Sequence, residues 1–504
     1  MISGFAKPYG ISASVIRFSI FNLPENTEMD QQSLKNNIYR QFPYSPTPGQ
    51  ERLIELLTDF VLTGKGNFPL FILEGYAGTG KTTVISALVK VLPRAGYTPV
   101  LLAPTGRAAK VFSGYAERPA STIHKKLYRS AMDKEGRLTF RLMPNTLHKA
   151  FFIVDEASMI PDSRPGENSL FNSRNLLEDL MQHVYSGSAG KMLFLGDNAQ
   201  LPPVGINYSP ALNIEFLRSS FGLDITHYML TDVVRQSLES GILSVATGIR
   251  LKIGNFGSFS PLFGQRNVFP DVRDINGDEM PDALHECYSH FGRENTVVIT
   301  RSNKRANLFN QGIRQRILSH ESDIAAGDHL MVVRNNYFWL PEETHAGFIA
   351  NGDIIELQRI GKIEELYGFR FAHVTMRMID YPDDPAYDVI LLLDTLNTET
   401  PSLSETENRR LYDAVMEDYM DIPSRLKRMA EVRKNQHFNA LQVKHANALT
   451  CHKTQGGQWD AVFIDKGYLT NDMLNDEYLR WLYTAVTRAA KILYLVNFEE
   501  KFFE

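Results

Sequence analysis

The sequence of 504 residues predicts an α/β protein with two sheet-containing domains, a small β-hairpin insert in the first and a β-barrel insert in the second. Three observations lead to this class. Apolar runs of strand length end in polar or glycine-rich turns, and helical spacing of apolar residues follows. This pattern occurs in two separate blocks of the chain. Within the second block, from about Gly327, short apolar runs alternate with turn residues instead.

The first block contains a glycine-rich turn between a strand and a helix. Leu70–Leu73 predicts a buried strand, and Gly75–Thr82 matches G-x-x-x-x-G-K-[ST] without a mismatch. Backbone N–H groups of such a turn point at phosphate oxygens, and the helix N-terminus adds partial positive charge. We expect Lys81 to reach the β- and γ-phosphates of a nucleotide and Thr82 to bind Mg²⁺. The alternative is a glycine turn that precedes a helix by chance. Chance would not explain why a strand, the complete motif and a helix occur here in register. The nucleotide-binding residues predicted here are Gly75, Gly78, Thr79, Gly80, Lys81, Thr82 and Thr83.

A glutamine precedes this strand at the start of an amphipathic helix. Leu53, Ile54, Leu57 and Phe60 share one face of that helix, which Gln50 opens. Its amide could hydrogen-bond both edges of an adenine ring. A solvent-exposed glutamine at a helix start is an equally good reading of Gln50 alone.

Three further apolar strands end in polar residues. They are Val100–Ala103, Phe151–Val154 and Met192–Leu195. Ligands bind at the carboxyl ends of strands in open α/β sheets. We therefore expect Asp155 to hold Mg²⁺, Glu156 to accept a proton from attacking water, and Gln200 to contact a γ-phosphate. An Asp-Glu pair alone is usually a solvated loop, but its place at a strand end favours the functional reading.

A basic insert separates the second and third strands. Lys125–Lys149 holds seven Lys and Arg residues and two acidic residues, a net charge of +5 in a chain whose formal charge is −5. Leu138, Phe140 and Leu142 alternate with polar residues, which predicts a half-buried strand of a hairpin with a turn near Gly136. An ordinary solvated hairpin is the alternative.

The second block begins near Leu230 and resumes after the inserts. Asn351-Gly352 is a hairpin turn signal within a predicted small β-barrel that spans about 327–393. Residues 402–434 predict two helices, and Ser402 and Glu405 have the spacing of a capping box for the first. The block closes with apolar strands at 461–464 and 492–496.

Composition limits the class of protein. No run of 18 apolar residues occurs, so no membrane span is expected. Two cysteines, Cys287 and Cys451, provide neither a disulfide framework nor a zinc cluster, which favours a reducing, cytoplasmic environment. The negative net charge argues against a uniformly basic protein and leaves room for a local basic channel.

The ordered motifs resemble those of superfamily-one helicases. The set comprises Gly75–Thr82, Asp155-Glu156, Gly196–Gln200, Arg235-Gln236, Thr450–Gly456 and Thr484–Arg488. The form His452-Lys453-Thr454-Gln455-Gly456 and the preceding barrel resemble the RecD-like and Dda-like branch, superfamily 1B. The resemblance covers about residues 40–500. Two features depart from the family: Gly457-Gln458 replaces a commoner small-acidic pair, and residues 396–440 form a longer segment than the family minimum.

The resemblance implies two RecA-like P-loop domains with ATP and Mg²⁺ in the cleft between them, and an SH3-like barrel in the second. Gln50 would bind adenine, and Arg235 and Arg488 would reach across as arginine fingers beside the catalytic Lys81, Asp155, Glu156 and Gln200. Gly456 would also contact the nucleotide. The implied division is a poorly ordered leader, 1–28; domain 1A, 29–124 and 150–229; the hairpin pin, domain 1B, 125–149; domain 2A, 230–326 and 444–504; and the barrel with helical insert, domain 2B, 327–443.

The same resemblance implies an ATP-dependent DNA helicase that travels 5′-to-3′ on single-stranded DNA, unwinds forked duplex, acts as a monomer and serves repair or recombination. The implied DNA-binding residues are Pro104, Thr105, Thr122, His124, Phe140, Thr300, Asn303, Thr450, His452 and Lys453. Two alternatives stay open: a translocase or remodeller that does not unwind, and an RNA helicase, because no residue here reads a 2′-hydroxyl. A non-catalytic nucleotide-gated protein would be expected to lack Glu156 or a finger arginine. A P-loop kinase is disfavoured because both blocks supply phosphate ligands.

Overall fold

The computed structural model describes residues 30–63, 66–132, 138–162, 174–232, 240–254, 262–266, 268–341, 344 and 348–504. The predicted leader 1–28 and the predicted finger Arg235 lie outside these residues. The helices of the described chain are α1 (Gln31–Gln41), α2 (Pro48–Thr63), α3 (Lys81–Val91), α4 (Gly106–Ala116), α5 (Ile123–Leu127), α6 (Leu176–Ser186), α7 (Ile214–Phe221), α8 (Gly241–Lys252), α9 (Met280–Phe291), α10 (Asn303–Arg316), α11 (Glu405–Glu417), α12 (Arg425–Lys434), α13 (Cys451–Thr454) and α14 (Asp476–Val486).

The strands fall into two open sheets, a barrel and a hairpin. They are β1 (Pro69–Gly75), β2 (Thr98–Ala103), β3 (Ala120–Thr122), β4 (Tyr128–Met132), β5 (Leu138–Leu142), β6 (Ala150–Val154), β7 (Lys191–Gly196), β8 (Asp224–Leu230), β9 (Val272–Ile275), β10 (Thr296–Thr300), β11 (His329–Val332), β12 (Ile354–Leu366), β13 (Phe369–Met378), β14 (Tyr387–Leu392), β15 (Leu441–His445), β16 (Ala448–Thr450), β17 (Trp459–Asp465) and β18 (Ala489–Val496).

The first domain is a six-stranded parallel sheet in the order β3-β2-β6-β7-β1-β8. Its central strands are buried along their whole length, as expected when helices cover both faces. One face packs against α2, α3 and α4, and the other against α5, α6 and α7. The four strands predicted from apolar runs are present, and the carboxyl ends of β1, β6 and β7 lie side by side.

The hairpin insert consists of β4 and β5, paired in antiparallel register from Tyr128 opposite Leu142 to Met132 opposite Leu138. Its base is tied to the first domain. The Tyr128 hydroxyl donates to the Asp179 carboxylate of α6 at 2.7 Å, and Arg174 donates to the same carboxylate through two nitrogens at 2.6 Å each. The predicted turn around Gly136 lies outside the described residues.

The second domain is a five-stranded parallel sheet in the order β16-β10-β17-β18-β9. Helices α8 and α14 pack on one face, and α9 and α10 on the other. The barrel is closed, β11-β12-β13-β14-β15, and β15 pairs with both β14 and β11. The predicted α/β class, with two sheet domains, a hairpin insert and a barrel insert, is therefore confirmed.

The structure corrects one detail of the helical insert. Its first helix begins at Glu405, and the capping box joins Ser404 to Glu407, so the predicted box of Ser402 and Glu405 is wrong by two residues. The Glu407 carboxylate accepts from the Ser404 backbone N–H at 2.8 Å, which satisfies an otherwise unpaired donor. None of the helices in the described ranges combines the length and the apolar character that crossing a membrane requires.

Candidate functional site

A cleft of about 290 Å³ lies between the two sheet domains. The first domain contributes residues from the glycine-rich turn and from the ends of β6 and β7, and the second contributes residues from the loops before β17 and after α14. The predicted site residues that line it are Gly78, Gly80, Lys81, Thr82, Asp155, Glu156, Gln200, Gly456 and Arg488. Side chains from distant parts of the chain therefore meet in this cleft, as their positions at strand ends predict.

The glycine-rich turn has the backbone that a phosphate loop needs. Gly78 and Gly80 have φ of 76° and 81°, a region open to glycine and costly for other residues. The Lys81 ammonium donates to the carbonyls of Gly75 and Tyr76 at the start of the turn. Thr82 is exposed to the cleft in the first turn of α3, while Thr79 is fully buried and bonds Tyr76 O. This arrangement fits nucleotide phosphates at the N-terminus of α3.

The two acidic residues differ in their surroundings. The Asp155 carboxylate accepts hydrogen bonds from the Tyr115 hydroxyl and from the Glu156 backbone N–H. Burial and the neighbouring Glu156 raise the pKa of Asp155 to about 6. Glu156 lies in the left-handed region with φ of 51°, which is uncommon outside glycine and concentrates at functional sites. Asp155 and Thr82 line the same cleft, and their oxygen atoms are the kind of ligand that a hard cation prefers.

An arginine of the second domain meets this pair. Arg488 Nη1 lies 3.5 Å from Glu156 Oε1, and Arg488 is only 4% exposed. Its other nitrogens are held in place, because Nε donates to Thr484 O at 3.0 Å and Nη2 to Thr487 Oγ1 at 3.2 Å. A fixed guanidinium beside a carboxylate can stabilise negative charge that develops on a substrate between them.

The two predicted glutamines behave differently. Gln200 is nearly buried, and its Oε1 finds no hydrogen-bond partner among the described residues, although the side chain lines the cleft. A buried polar atom of this kind indicates a missing polar ligand or water. Gln50 is buried at the back of the glycine-rich turn, where its Nε2 donates to Thr79 O at 3.0 Å and its Oε1 accepts from Thr47 N at 3.0 Å. Adenine recognition by Gln50 stays a prediction.

Sequence reasoning missed the residue that joins the two domains at the cleft. The Tyr483 hydroxyl of α14 donates to Asp197 Oδ2 at 2.6 Å and accepts from the Ala77 backbone N–H of the glycine-rich turn at 3.0 Å. Asp197 is buried, and burial is the main cause of its raised pKa. Asp197 lies inside the predicted motif Gly196–Gln200, and Tyr483 directly precedes the motif Thr484–Arg488. Their contact was invisible because it joins residues almost three hundred positions apart.

The loop after β7 is held by the second domain as well. Leu201 N donates to Thr484 Oγ1 at 2.8 Å, and Gln455 Nε2 donates to Leu201 O at 2.7 Å. Leu201 packs within the hydrophobic core of the second domain. Gly456, which has φ of 72°, approaches α4 so closely that a Cβ would come within 2.7 Å of Ala108 Cβ. The glycine at this position therefore permits contact between the domains.

The predicted DNA-binding residues of the first domain cluster at the ends of β2 and β3, which are paired neighbours. Pro104 and Thr105 are half-buried, and Thr105 caps α4. Thr122 is buried and its hydroxyl caps α5, so its side chain is used within the protein. His124 follows, and burial lowers its pKa to about 4, which keeps the ring neutral at pH 7. Thr105 Oγ1 also accepts from Ala108 N at 3.2 Å, so both hydroxyls act as helix caps, and DNA contact at Thr105 and His124 stays a prediction.

In the second domain the candidates also meet at neighbouring strand ends, since Thr300 of β10 is paired in register with Thr450 of β16. Thr300 is fully buried and donates to Ser302 O, which argues for a structural role. Asn303 donates to Glu399 O at 3.0 Å. His452 is exposed, and burial lowers the pKa of Lys453 to about 8, which leaves the ammonium largely charged at neutral pH. The side chain of Phe140 lies outside the described part of the chain.

Comparison with known proteins gives two family matches. Residues 62–250 match the model of an AAA domain, and residues 445–496 match the UvrD-like helicase C-terminal domain. The chain is 26% identical over 294 residues to the ATP-dependent DNA helicase dda of Enterobacteria phage T4, which covers 57% of this chain and 60% of that protein. It is 27% identical over 277 residues to the ATP-dependent RecD2 DNA helicase of Deinococcus radiodurans, which covers 53% of this chain and 34% of that protein.

Among solved structures, Pif1 helicases at forked double-stranded DNA match with a TM-score of 0.45 and 16% identity, over 92% of this chain and 94% of theirs. The matches to dda and to RecD2 span about three-fifths and about a third of the length of those two proteins. The two family matches fall on the two sheet domains whose strand ends form the cleft. With the ordered motifs, they show that the chain is similar to superfamily 1B helicases, in the branch of the Dda and RecD2 proteins.

Proposed function

We propose that this protein is an ATP-dependent DNA helicase that translocates on single-stranded DNA in the 5′-to-3′ direction and unwinds forked duplex. One observation carries the proposal: Arg488 of the second domain lies against Glu156 of the first, at the mouth of a phosphate-binding turn. Hydrolysis then requires both domains, so that turnover is coupled to their relative motion. The activities of dda and RecD2, named as DNA helicases, support the substrate class.

Each residue of the cleft has a role in this proposal. Lys81 releases its contacts with the Gly75 and Tyr76 carbonyls and binds the β- and γ-phosphates. Thr82 and Asp155 would hold Mg²⁺, which would offset phosphate charge. Glu156 accepts a proton from the attacking water, which Gln200 orients through its unpaired oxygen. Arg488 stabilises charge on the transferred phosphoryl group, an effect worth ~10³–10⁵ in rate where it has been measured.

DNA binding would follow the carboxyl edge of both sheets. The first grip comprises Thr105 and His124, and the second comprises Thr450, His452 and Lys453. Hydroxyl, imidazole and ammonium groups bind phosphate without reading bases. We also propose a monomer that needs no second subunit, because one chain supplies both sides of the cleft. A reducing cytoplasmic setting is supported by two buried free cysteines.

A fork-unwinding assay with ATP and Mg²⁺ tests the proposal. Substrates carry a single-stranded tail at the 5′ end or at the 3′ end, in DNA and in RNA. We expect unwinding of the 5′-tailed DNA fork alone. Unwinding of RNA would identify an RNA helicase. DNA-stimulated hydrolysis and translocation without strand separation would identify a translocase.

Three variants test the chemistry. Lys81→Ala removes the charge that binds the phosphates, and Glu156→Gln removes the base but keeps its shape. Both should lose DNA-stimulated ATPase activity, while Glu156→Gln should still bind ATP and DNA. Arg488→Ala should reduce kcat by at least about 10³ with little change in ATP affinity. Lys491→Ala, which removes an exposed cation that pairs with Asp460, serves as the control and should behave as the parent. Normal turnover in Glu156→Gln would remove this residue from the mechanism.

A further inference from the structure

We propose that Glu364, His373 and His437 form a binding site for a divalent transition metal ion of the zinc class on the β-barrel. One ligand atom of each residue lies within 4.8 Å of the other two. None of the three lines the nucleotide cleft. The proposed site is therefore separate from the Mg²⁺ that ATP hydrolysis would use.

The two imidazoles converge on one carboxylate oxygen. His373 Nε2 lies 2.7 Å and His437 Nε2 lies 3.0 Å from Glu364 Oε1. Ligand atoms about 2.0–2.1 Å from a tetrahedral Zn²⁺ are about 3.3 Å apart. The two distances from the carboxylate oxygen to the imidazoles therefore need to lengthen by only a few tenths of an ångström to admit the ion. Both rings already present their Nε2 atoms, the atoms that most often ligate zinc in proteins.

The chain places these side chains from three separate segments. Glu364 is on β12, His373 is on β13, and His437 lies between α12 and β15. The pairing of β12 with β13 shifts register between Ile360 and Ile363, and an irregularity of this kind redirects side chains. Phe371 is directly opposite Glu364, and His373, two residues further along β13 and next to the register shift, is the diagonal neighbour of Glu364 on the same face of the pair.

Further contacts hold the ligands in orientation. Asn435 Oδ1 accepts from the His437 backbone N–H at 2.9 Å, and the Phe371 ring packs edge-on against the His437 ring at 5.0 Å. Lys362 donates to Glu364 Oε2 at 2.6 Å, which leaves Oε1 directed at the histidines. Partners that orient ligands in this way raise metal affinity in known sites. The histidines are 41% and 19% exposed at their side chains, so an ion has access from solvent.

The donor set indicates the class of ion. Two imidazole nitrogens and one carboxylate oxygen suit Zn²⁺ and similar transition metals, whereas Mg²⁺ and Ca²⁺ prefer oxygen ligands throughout. Water would fill the remaining coordination position. The bound ion would connect the β12–β13 hairpin to the segment that leads into β15, the strand that closes the barrel. Because the three ligands meet only in the folded barrel, the ion would stabilise that fold.

Metal binding to the full-length protein tests the proposal. The protein is stripped with chelator and titrated with ZnCl₂ by calorimetry, and with CoCl₂, whose visible absorption reports nitrogen and oxygen coordination. We expect one Zn²⁺ per chain and a Tm that rises with Zn²⁺. The variants His373→Ala, His437→Ala and Glu364→Gln should each weaken binding at least about tenfold and abolish the Tm rise.

His285→Ala, which removes an exposed histidine of α9, is the matched control and should bind as the parent. All variants should keep DNA-stimulated ATPase activity, which reports that they are folded. Should one fail to fold, the two others decide. No stoichiometric binding by the parent would overturn the proposal and leave a plain Lys-Glu-His charge network. Binding that survives in the double variant His373→Ala, His437→Ala would equally overturn it.

Discussion

The Tyr483 hydroxyl forms hydrogen bonds with two groups of the first domain, which would lack this partner if the hydroxyl were removed. The Asp197 carboxylate accepts a hydrogen bond from this hydroxyl, and the Ala77 backbone N–H donates one to the hydroxyl oxygen. Leaving a buried polar group unpaired costs about 1–3 kcal/mol. The Tyr483 side chain therefore links the glycine-rich turn to the second domain.

Replacement of this hydroxyl gives the first prediction. Tyr483→Phe should lower the Tm and reduce kcat for DNA-stimulated ATP hydrolysis, because the turn loses its link to the second domain. Tyr478→Phe is the matched control: Tyr478 is buried on the same helix, and its hydroxyl has no hydrogen-bond partner in the described chain. That variant should match the parent in both measurements. Equal behaviour of the two variants would contradict a linking role.

The carboxyl of Asp155 gives a prediction about pH. Its pKa is raised from the ordinary 3.8 to about 6, so between these two pH values the folded protein holds a proton there that the unfolded chain has released. Protonation of Asp155 thus stabilises the folded state, and this stabilisation is lost as the pH rises through 6. The same protonation removes the negative charge that would bind Mg²⁺. We expect kcat/KM for ATP to fall as the pH drops below about 6.

The contact with Tyr115 allows a controlled measurement. The hydrogen bond from the Tyr115 hydroxyl lowers the pKa of Asp155 and so opposes burial. Tyr115→Phe should therefore shift the acidic limb of the kcat/KM profile to higher pH. ATP protonation is identical for both proteins, so the difference between the two profiles reports the enzyme. Superimposable acidic limbs would show that Asp155 does not control this step.

At the scale of elements, several hydrogen bonds fix the base of the hairpin β4–β5 to the first domain. The Tyr128 hydroxyl and Arg174 both bind Asp179, and Met143 N donates to Leu127 O at 2.8 Å where the chain returns. These contacts anchor both ends of the hairpin to α5 and α6 at the edge where β3 ends. An anchored hairpin can act as a wedge against a duplex, since opening one base-pair step costs about 1–2 kcal/mol.

Shortening the hairpin should separate unwinding from hydrolysis. Replacement of residues 132–137 by a short Gly-Ser turn leaves the anchoring contacts and every residue of the cleft unchanged. We expect DNA-stimulated ATPase activity and translocation to persist while fork unwinding is largely lost. Unwinding at the parental rate would move the wedge elsewhere, for instance to the barrel. Loss of ATPase activity as well would make the insert structural.

Helices and strands were predictable where the local sequence determines them, and less so where contacts with distant parts of the chain determine them. The buried strands of the first sheet and the register of the glycine-rich turn follow from apolar runs and from glycine spacing. The helix start at Glu405 was misplaced because Ser402 and Ser404 each have a glutamate three residues later. Leu403 is buried against the barrel, and this tertiary contact selects Ser404 as the cap. Strand β15 was missed because it pairs with strands distant in sequence.

The same division holds in the site. Lys81, Asp155, Glu156 and Gln200 could be predicted because each follows a strand of a parallel sheet, and such ends converge. Thr122 and Thr300 were predicted at correct strand ends, but only the structure shows that their hydroxyls are used within the protein. The contact of Tyr483 with Ala77 depends on how two domains meet, which no local pattern encodes.

At the scale of the whole molecule, the domains contact each other through the same loops that line the cleft. Leu201 and Ala199 of the first domain pack in the core of the second, and the Arg107 guanidinium stacks on the Trp459 ring at 3.9 Å. At Gly456 the second domain approaches α4 so closely that an added Cβ would come within 2.7 Å of Ala108 Cβ. A change in this contact should therefore alter how closely the domains approach, and with it the distance from Arg488 to Glu156.

Gly456→Ala tests this coupling. The added methyl group would come within 2.7 Å of Ala108 Cβ and would occupy a left-handed backbone, which costs about 1–2 kcal/mol. The methyl contact pushes the domains apart and the backbone strain distorts the loop locally, so kcat for ATP hydrolysis should fall at least about tenfold while single-stranded DNA still binds. Adding Ala108→Gly removes the steric part alone and should restore a fraction of the lost turnover. Gly248→Ala, in a helix with nothing within 4 Å of the new methyl group, controls for a generic glycine effect. No rescue by Ala108→Gly would mean that backbone strain, and not the approach of the domains, limits the Gly456→Ala enzyme.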